Sequence, residues 1–97
     1  MNTAPNLTLV VVAYGRPDLL EALLDSITDH TPEAHEILVV DNASPDDTYE
    51  RASRHKSRPR LIKAGKNLGY VGGANLGIRA SKSDIVIIMN SDLEVTE

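Results

Sequence analysis

Apolar residues fall along this chain in two rhythms, and the change from one to the other predicts its elements. Three runs, Leu7–Ala13, Glu36–Val40 and Asp84–Met89, carry their Val, Ile and Leu residues continuously rather than in alternation. Unbroken apolar runs of this length suit strands of a parallel sheet covered by helices on both faces. A fourth run, Arg60–Lys63, is apolar only at Leu61 and Ile62 and fits an edge strand.

Between the first two runs the rhythm becomes helical. Leu19, Leu20, Leu23, Leu24 and Ile27 recur on one face, Pro17 suits a first turn, and Asp18 and Glu21 lie near the positive end of the helix. After the second run, Ser44-Pro45-Asp46-Asp47 offers a cap, a first-turn proline and early acids. Asp47/Arg51 and Glu50/Arg54 then pair at i,i+4, which predicts a helix to about His55. The segment Gly72–Ser81 is a weaker helix former, because each glycine in a helix interior costs about 1 kcal/mol. Gly73, Gly77 and Ala80 nevertheless share one face, where missing side chains let a helix approach a sheet or a ligand closely.

The order β-α-β-α-β-α-β predicts an α/β fold, a Rossmann-like parallel sheet with right-handed crossovers. The 97 residues hold one modest core, so residues 1–97 are expected to form a single domain. Sheets of this kind bind ligands at the carboxyl ends of their strands. Those ends carry polar residues here: Ala13-Tyr14-Gly15-Arg16, Asp41-Asn42-Ala43-Ser44 and Asn90-Ser91-Asp92. In a parallel sheet all three lie on one rim, where Asp41 and Asp92 can face a common crevice. Each also has a plainer reading. Asp41-Asn42 and Asn90-Ser91-Asp92 fit turns, Asp46 and Asp47 fit first-turn acids, and Tyr14 fits a core-edge aromatic.

Composition narrows the chemistry. There is no Cys, Phe or Trp, and the three tyrosines are Tyr14, Tyr49 and Tyr70. Disulfides and thiolate metal sites are excluded, and stacking of single-stranded nucleic acid is poorly supported. Net charge is −4, yet seven of the ten basic residues lie between Arg51 and Lys66, a stretch without acids. It matches no nucleic-acid recognition module and reads as a solvated face, so no nucleic-acid partner is expected. The apolar runs are far shorter than the ~20 residues needed to span a bilayer, and Met1–Pro5 has no basic leader, so no membrane span and a cytoplasmic location are expected. Neither a dinucleotide glycine fingerprint nor a P-loop lysine is present. Tyr14-Gly15 stands where a phospho-acceptor receiver domain needs acids, and His30, His35 and His55 lack metal-ligand spacing.

Taken together, Val10–Arg16, Val39–Ser44, Asn67-Leu68-Gly69 with Gly73-Ala74-Asn75-Leu76-Gly77, and Asn90-Ser91-Asp92 resemble family 2 glycosyltransferases of the GT-A fold. The resemblance runs from Leu7 to Glu97 and is nearest to the bacterial rhamnosyltransferase-like branch, whose acidic motif often begins with Asn. It implies strand order 3-2-1-4. It also implies that Ala13, Tyr14 and Asp41 hold the base and ribose of a UDP- or dTDP-sugar donor. Asn67 and Gly69 match the loop flanking the nucleotide, Asn75 and Gly77 lie on the following helix, and Lys66 is placed for a phosphate. Asn90 and Asp92 match the Asp-x-Asp motif that holds Mg²⁺ or Mn²⁺ against the diphosphate. With Asn90 in place of the first Asp, Asp92 becomes the main metal ligand.

The implied activity is transfer of the sugar to an acceptor hydroxyl with inversion. The carboxylate base and acceptor site of such enzymes belong to a second half that these residues do not match. The expectation is therefore an incomplete glycosyltransferase domain with a donor site and no catalytic residue of its own. The alternative is a non-enzymatic module that binds a nucleotide or a protein on the same fold. On the implied strand order the fourth strand is outermost, and Ile85–Met89 contains no charge or proline to discourage pairing, so a homodimer through that edge is expected.

Overall fold

The computed structural model describes residues 6–30 and 35–91. The elements run β1 (Leu7–Ala13), α1 (Pro17–His30), β2 (His35–Asp41), α2 (Thr48–Ser53), β3 (Arg60–Lys63), α3 (Gly69–Ala80) and β4 (Ile85–Asn90). The four strands form one sheet in the order β3-β2-β1-β4, with every pair parallel. The α/β class, element order and strand order implied by the sequence are all present.

Each strand divides its side chains between two cores, which is why its apolar run is continuous. Leu9, Val11 and Ala13 of β1 pack with Leu20, Leu24 and Ile27 of α1 and with Ala52 of α2. Val10 and Val12 point the other way and pack with Leu38, Val40 and Ala74, beneath α3. The glycine face of α3 has a steric reason. A methyl group at Gly77 would fall inside the Val10 side chain, and one at Gly73 would lie 2.8 Å from Val12 Cγ1 and 2.9 Å from Asn42 Nδ2. Two glycines thus let α3 descend onto β1, and the close packing outweighs their poor helix propensity.

Two helix starts differ from the pattern-based expectation. α2 begins at Thr48 rather than just after Ser44, because Asp46 accepts hydrogen bonds from the Thr48 amide and hydroxyl and holds a turn there. Those bonds from Thr48 also hold the exposed Asp46 carboxyl below its ordinary pKa. α3 begins at Gly69, ahead of Gly72, because Asn67 Oδ1 accepts the Gly69 amide at 2.8 Å and starts the first turn.

The basic stretch is partly tethered on the surface. Arg51 reaches Asp18 at 2.7 Å and Glu21 at 2.6 Å, joining α2 to α1, and these acids raise its pKa further. Lys63 sits 5.0 Å above the Tyr49 ring, and Arg60 donates to the Ala80 carbonyl. Such exposed pairs are worth about 0–1 kcal/mol each.

The two sheet edges differ. Outer strand β3 is short and is bracketed by Pro59, Arg60 and Lys63, which discourage pairing. β4 leaves Ile85 56% and Ile87 43% exposed among the described residues. The Ile85 and Ser91 amides donate to β1-side carbonyls at 3.0 and 3.1 Å, so the strand's alternation turns the main-chain groups of Val86 and Ile88 outward. Among the described residues, no helix is long and apolar enough to cross a membrane.

Candidate functional site

The parallel register brings three strand ends to one rim. Ala13 lies opposite Asp41, Val12 opposite Asn90, and Asp41 opposite Lys63. The ladder continues just past the strands, with Asn42 N to Ala13 O at 2.8 Å, Ala64 N to Asp41 O at 2.9 Å and Ser91 N to Val12 O at 3.1 Å. The polar residues after each strand therefore start from fixed backbone positions.

Side chains then tie the first two loops together. The Gly15 amide donates to Ser44 Oγ at 2.8 Å, while the Ser44 hydroxyl and amide both donate to Asp41 Oδ1. Sharp turns make this possible: Gly15, Arg16 and Ala43 have φ of 64°, 53° and 62°. For Arg16 and Ala43 the left-handed region carries a strain of about 1–2 kcal/mol each. Asp41 is only 1% exposed, and its second oxygen, Oδ2, is buried without a hydrogen-bond partner among the described residues. Ser91 Oγ at the end of β4 is likewise unpaired. Leaving a buried acceptor unsatisfied costs about 1–3 kcal/mol.

A crevice of ≈ 230 Å³ opens on this rim, lined by Val12, Tyr14, Asn42, Asn67, Gly69, Tyr70 and Asn90. Four residues implied by the resemblance meet here: Tyr14, Asn67, Gly69 and Asn90. Tyr14 is 47% exposed, so its ring is open to a ligand. Ala13 is fully buried below the rim, and Asp41 lies beside the crevice under Ser44 rather than in its wall. Lys66 and Asn75 are exposed but do not line it, and Gly77 is turned into the sheet against Val10, where it serves packing. Asp92 lies outside the described residues.

Three lining residues, Val12, Asn42 and Tyr70, are not among the candidates. Asn42 was visible only as the second half of an Asp-Asn doublet, and Tyr70 only as the residue after Gly69. A neighbouring recess of ≈ 460 Å³, lined by Leu19, Leu23, Tyr70, Met89, Asn90 and Ser91 among others, is largely apolar. A depression of ≈ 570 Å³ between α1 and α2 lies off the rim. Within it Arg51 pairs with Glu21 and the His55 ring lies 2.7 Å from Asp25 Oδ1.

Among the described residues no three His, Asp or Glu side chains gather as a metal site. The Asn90 amide, in the crevice wall, supplies the neutral oxygen chemistry that a hard divalent cation accepts.

The family model for glycosyl transferase family 2 matches residues 8–97, which includes every strand end of this rim. The chain belongs to glycosyl transferase family 2. It is 31% identical over 93 residues to the succinoglycan biosynthesis protein ExoO of Rhizobium meliloti, covering 95% of this chain and 27% of that protein. Among solved structures it resembles a mannosyltransferase from Pyrobaculum calidifontis in complex with GDP-Man and Mn²⁺. The TM-score is 0.81 at 28% identity, covering 93% of this chain and 28% of that one. Glucosyl-3-phosphoglycerate synthase from Mycobacterium tuberculosis, in complex with Mn²⁺, UDP and glucosyl-3-phosphoglycerate, superposes at 0.76 with 26% identity. That match covers 93% of this chain and 34% of the synthase. The chain thus spans about a quarter to a third of the length of these relatives.

Proposed function

We propose that residues 1–97 form the donor site of a glycosyltransferase that moves a sugar from a UDP- or dTDP-sugar to an acceptor hydroxyl. The reading rests chiefly on Asp41 Oδ2, a buried acceptor without a partner among the described residues, on the strand opposite Ala13, which the exposed Tyr14 follows. Uracil and thymine each present an imide N–H that suits such an acceptor. Tyr14 offers the ring face for the base, with Ala13 behind it, while Asn67 and Gly69 also line the crevice.

Asn90 and Asp92 are assigned to the diphosphate end of the donor. Asp92 would be the charged ligand of Mg²⁺ or Mn²⁺ and Asn90 a neutral one; when bound, such an ion offsets charge on the leaving nucleoside diphosphate. Asn90 at the head of this motif supports the rhamnosyltransferase-like branch. In an inverting displacement the acceptor oxygen bonds to the anomeric carbon as the bond to the diphosphate breaks, and the acceptor proton passes to a base. No base is assigned to this chain; the longer enzyme would supply it. The donor-site reading is favoured over a non-enzymatic module by the orphaned Asp41 oxygen and by similarity to enzymes solved with nucleotides and Mn²⁺.

Calorimetry with UDP, dTDP and GDP, with and without Mn²⁺, tests this reading. UDP or dTDP is expected to bind more tightly than GDP and to gain affinity with Mn²⁺, and Asp92→Asn is expected to abolish the metal response, because neutral oxygens bind hard cations weakly. A metal response that survives Asp92→Asn overturns the ligand assignment.

The open β4 edge also supports a homodimer formed by pairing of the outward main-chain groups of Val86 and Ile88 with those of a second copy. Sedimentation equilibrium is expected to show dimer that Ile87→Lys shifts to monomer. A monomer at all concentrations, indifferent to the lysine, rules this out.

A further inference from the structure

Asn42 is buried to 2% exposure at the point where β2 leaves the sheet, next to Asp41. Its amide is used at both ends. Nδ2 donates to the Gly69 carbonyl at 2.9 Å, and Oδ1 accepts the Leu68 amide at 3.3 Å. These two bonds reach 26 and 27 residues along the chain and hold the segment that opens α3. Asn67, in that segment, is otherwise fixed locally, through its own bond to the Gly69 amide.

Packing keeps the Asn42 amide in place. A methyl group at position 73 would stand 2.9 Å from Nδ2 and 3.4 Å from Cγ, so Gly73 leaves just enough room for the side chain. The backbone of Asn42 is pinned by its own amide bond to the Ala13 carbonyl. One side chain is thereby tied to the ends of β1 and β2 and to the Asn67–Gly69 loop, the two sides of the rim crevice.

We infer that Asn42 is a positioning residue of the donor site: it holds the Asn67–Gly69 wall at a set distance from Asp41 and Tyr14, and so gives the crevice its width. The inference rests on the donor-site reading above. Asn42 also lines the crevice; action through the loop, rather than direct contact, makes its removal weaken nucleotide binding only to the extent that the loop contributes.

The test has a structural arm and a binding arm. In the first, amide hydrogen exchange compares the wild-type chain with Asn42→Ala and Asn42→Asp. The aspartate keeps the shape and the acceptor for Leu68 but sets an oxygen against the Gly69 carbonyl. Leu68 is expected to lose protection about 10-fold or more in Asn42→Ala. Asn42→Asp, which keeps the acceptor, is expected to retain Leu68 protection, and Val11 and Val39 in the central strands are expected to stay protected in both variants. In the second arm, calorimetry follows UDP affinity in a double-mutant cycle with Asn67→Ala. Asn42→Ala is expected to weaken binding roughly 5- to 20-fold in the wild-type background and less than about 2-fold when Asn67 is already alanine. Full UDP affinity should require asparagine at position 42, because aspartate sets an oxygen against the Gly69 carbonyl.

Unchanged Leu68 exchange in Asn42→Ala overturns the inference, as do additive losses in the cycle. Loss of Leu68 protection with unaltered UDP affinity also overturns it, yet leaves the donor-site reading intact. Failure of the wild-type chain to bind any nucleotide defeats the donor-site reading and this inference together, and the exchange arm then shows only whether the loop is tethered.

Discussion

Asp41→Ala is expected to weaken UDP or dTDP binding by about 1–3 kcal/mol, a loss of roughly 5- to 150-fold, because it removes a charge-assisted hydrogen bond from a buried acceptor. Alanine also releases Ser44, whose hydroxyl and amide both donate to Asp41 Oδ1 and whose Oγ holds the Gly15 amide. Asp41→Asn separates the two effects. It can keep an oxygen toward Ser44 while presenting an N–H where Oδ2 stood. Uridine nucleotides, with a donor at the ring nitrogen, should then bind poorly, and cytidine nucleotides, with an acceptor there, should gain ground. Calorimetry of UDP and CDP against the wild type, Asp41→Ala and Asp41→Asn measures this. Equal UDP affinity in all three would make Asp41 a turn residue and move the base elsewhere on the rim.

Gly77→Val is expected to unfold the domain or leave it largely unfolded at room temperature. Even the first added carbon would fall inside Val10, which is fully buried in the central strand and has Leu38 and Val40 packed in the same cluster. The sheet cannot yield locally, so α3 must lift. Gly77→Ala alone should cost about 1–3 kcal/mol by overpacking, and valine considerably more, against a total stability of about 5–15 kcal/mol for a typical domain. Gly65→Ala is the control, since nothing lies within 4 Å of its added carbon and it is not held in the left-handed region. It should be neutral or slightly stabilising through the unfolded chain. Thermal unfolding of the three variants gives the comparison: a Gly77→Ala midpoint equal to that of Gly65→Ala would mean that α3 does not seat on Val10. Because α3 carries Gly69 and Tyr70 at the rim, the same packing sets the crevice.

Both predictions depend on positions whose meaning the chain order discloses only in part. Val10 and Val11 are neighbours in an unbroken apolar run, and that continuity is sufficient to predict a strand buried on both faces. The run does not tell which valine meets α1 and which meets α3. Likewise the spacing of Gly73 and Gly77 announces a helix that must come close to something. Only the packed sheet shows that Gly77 faces Val10 while Gly73 leaves room for both Val12 and Asn42.

Local chemistry was legible wherever its partners lie a few residues apart. The strand runs, the helical rhythm of Leu20, Leu24 and Ile27, and the polar residues ending each strand all follow from short-range periodicity. The four ordered motifs carried the family as well. Helix starts were less legible, because Ser44 looked like a cap for α2 until Asp41 and Gly15 claimed its side chain, leaving the turn to Asp46. The role of Asn42 was not legible at all. Its two loop bonds span more than 25 residues and exist only after β2 and α3 have docked. The sequence by itself determined which segments become strands and helices and which polar residues reach the carboxyl rim, since backbone period and residue type settle those locally. The tertiary structure alone decided which rim groups are paired, which are left buried without a partner, and how wide the crevice stands, because those depend on contacts between segments distant in sequence.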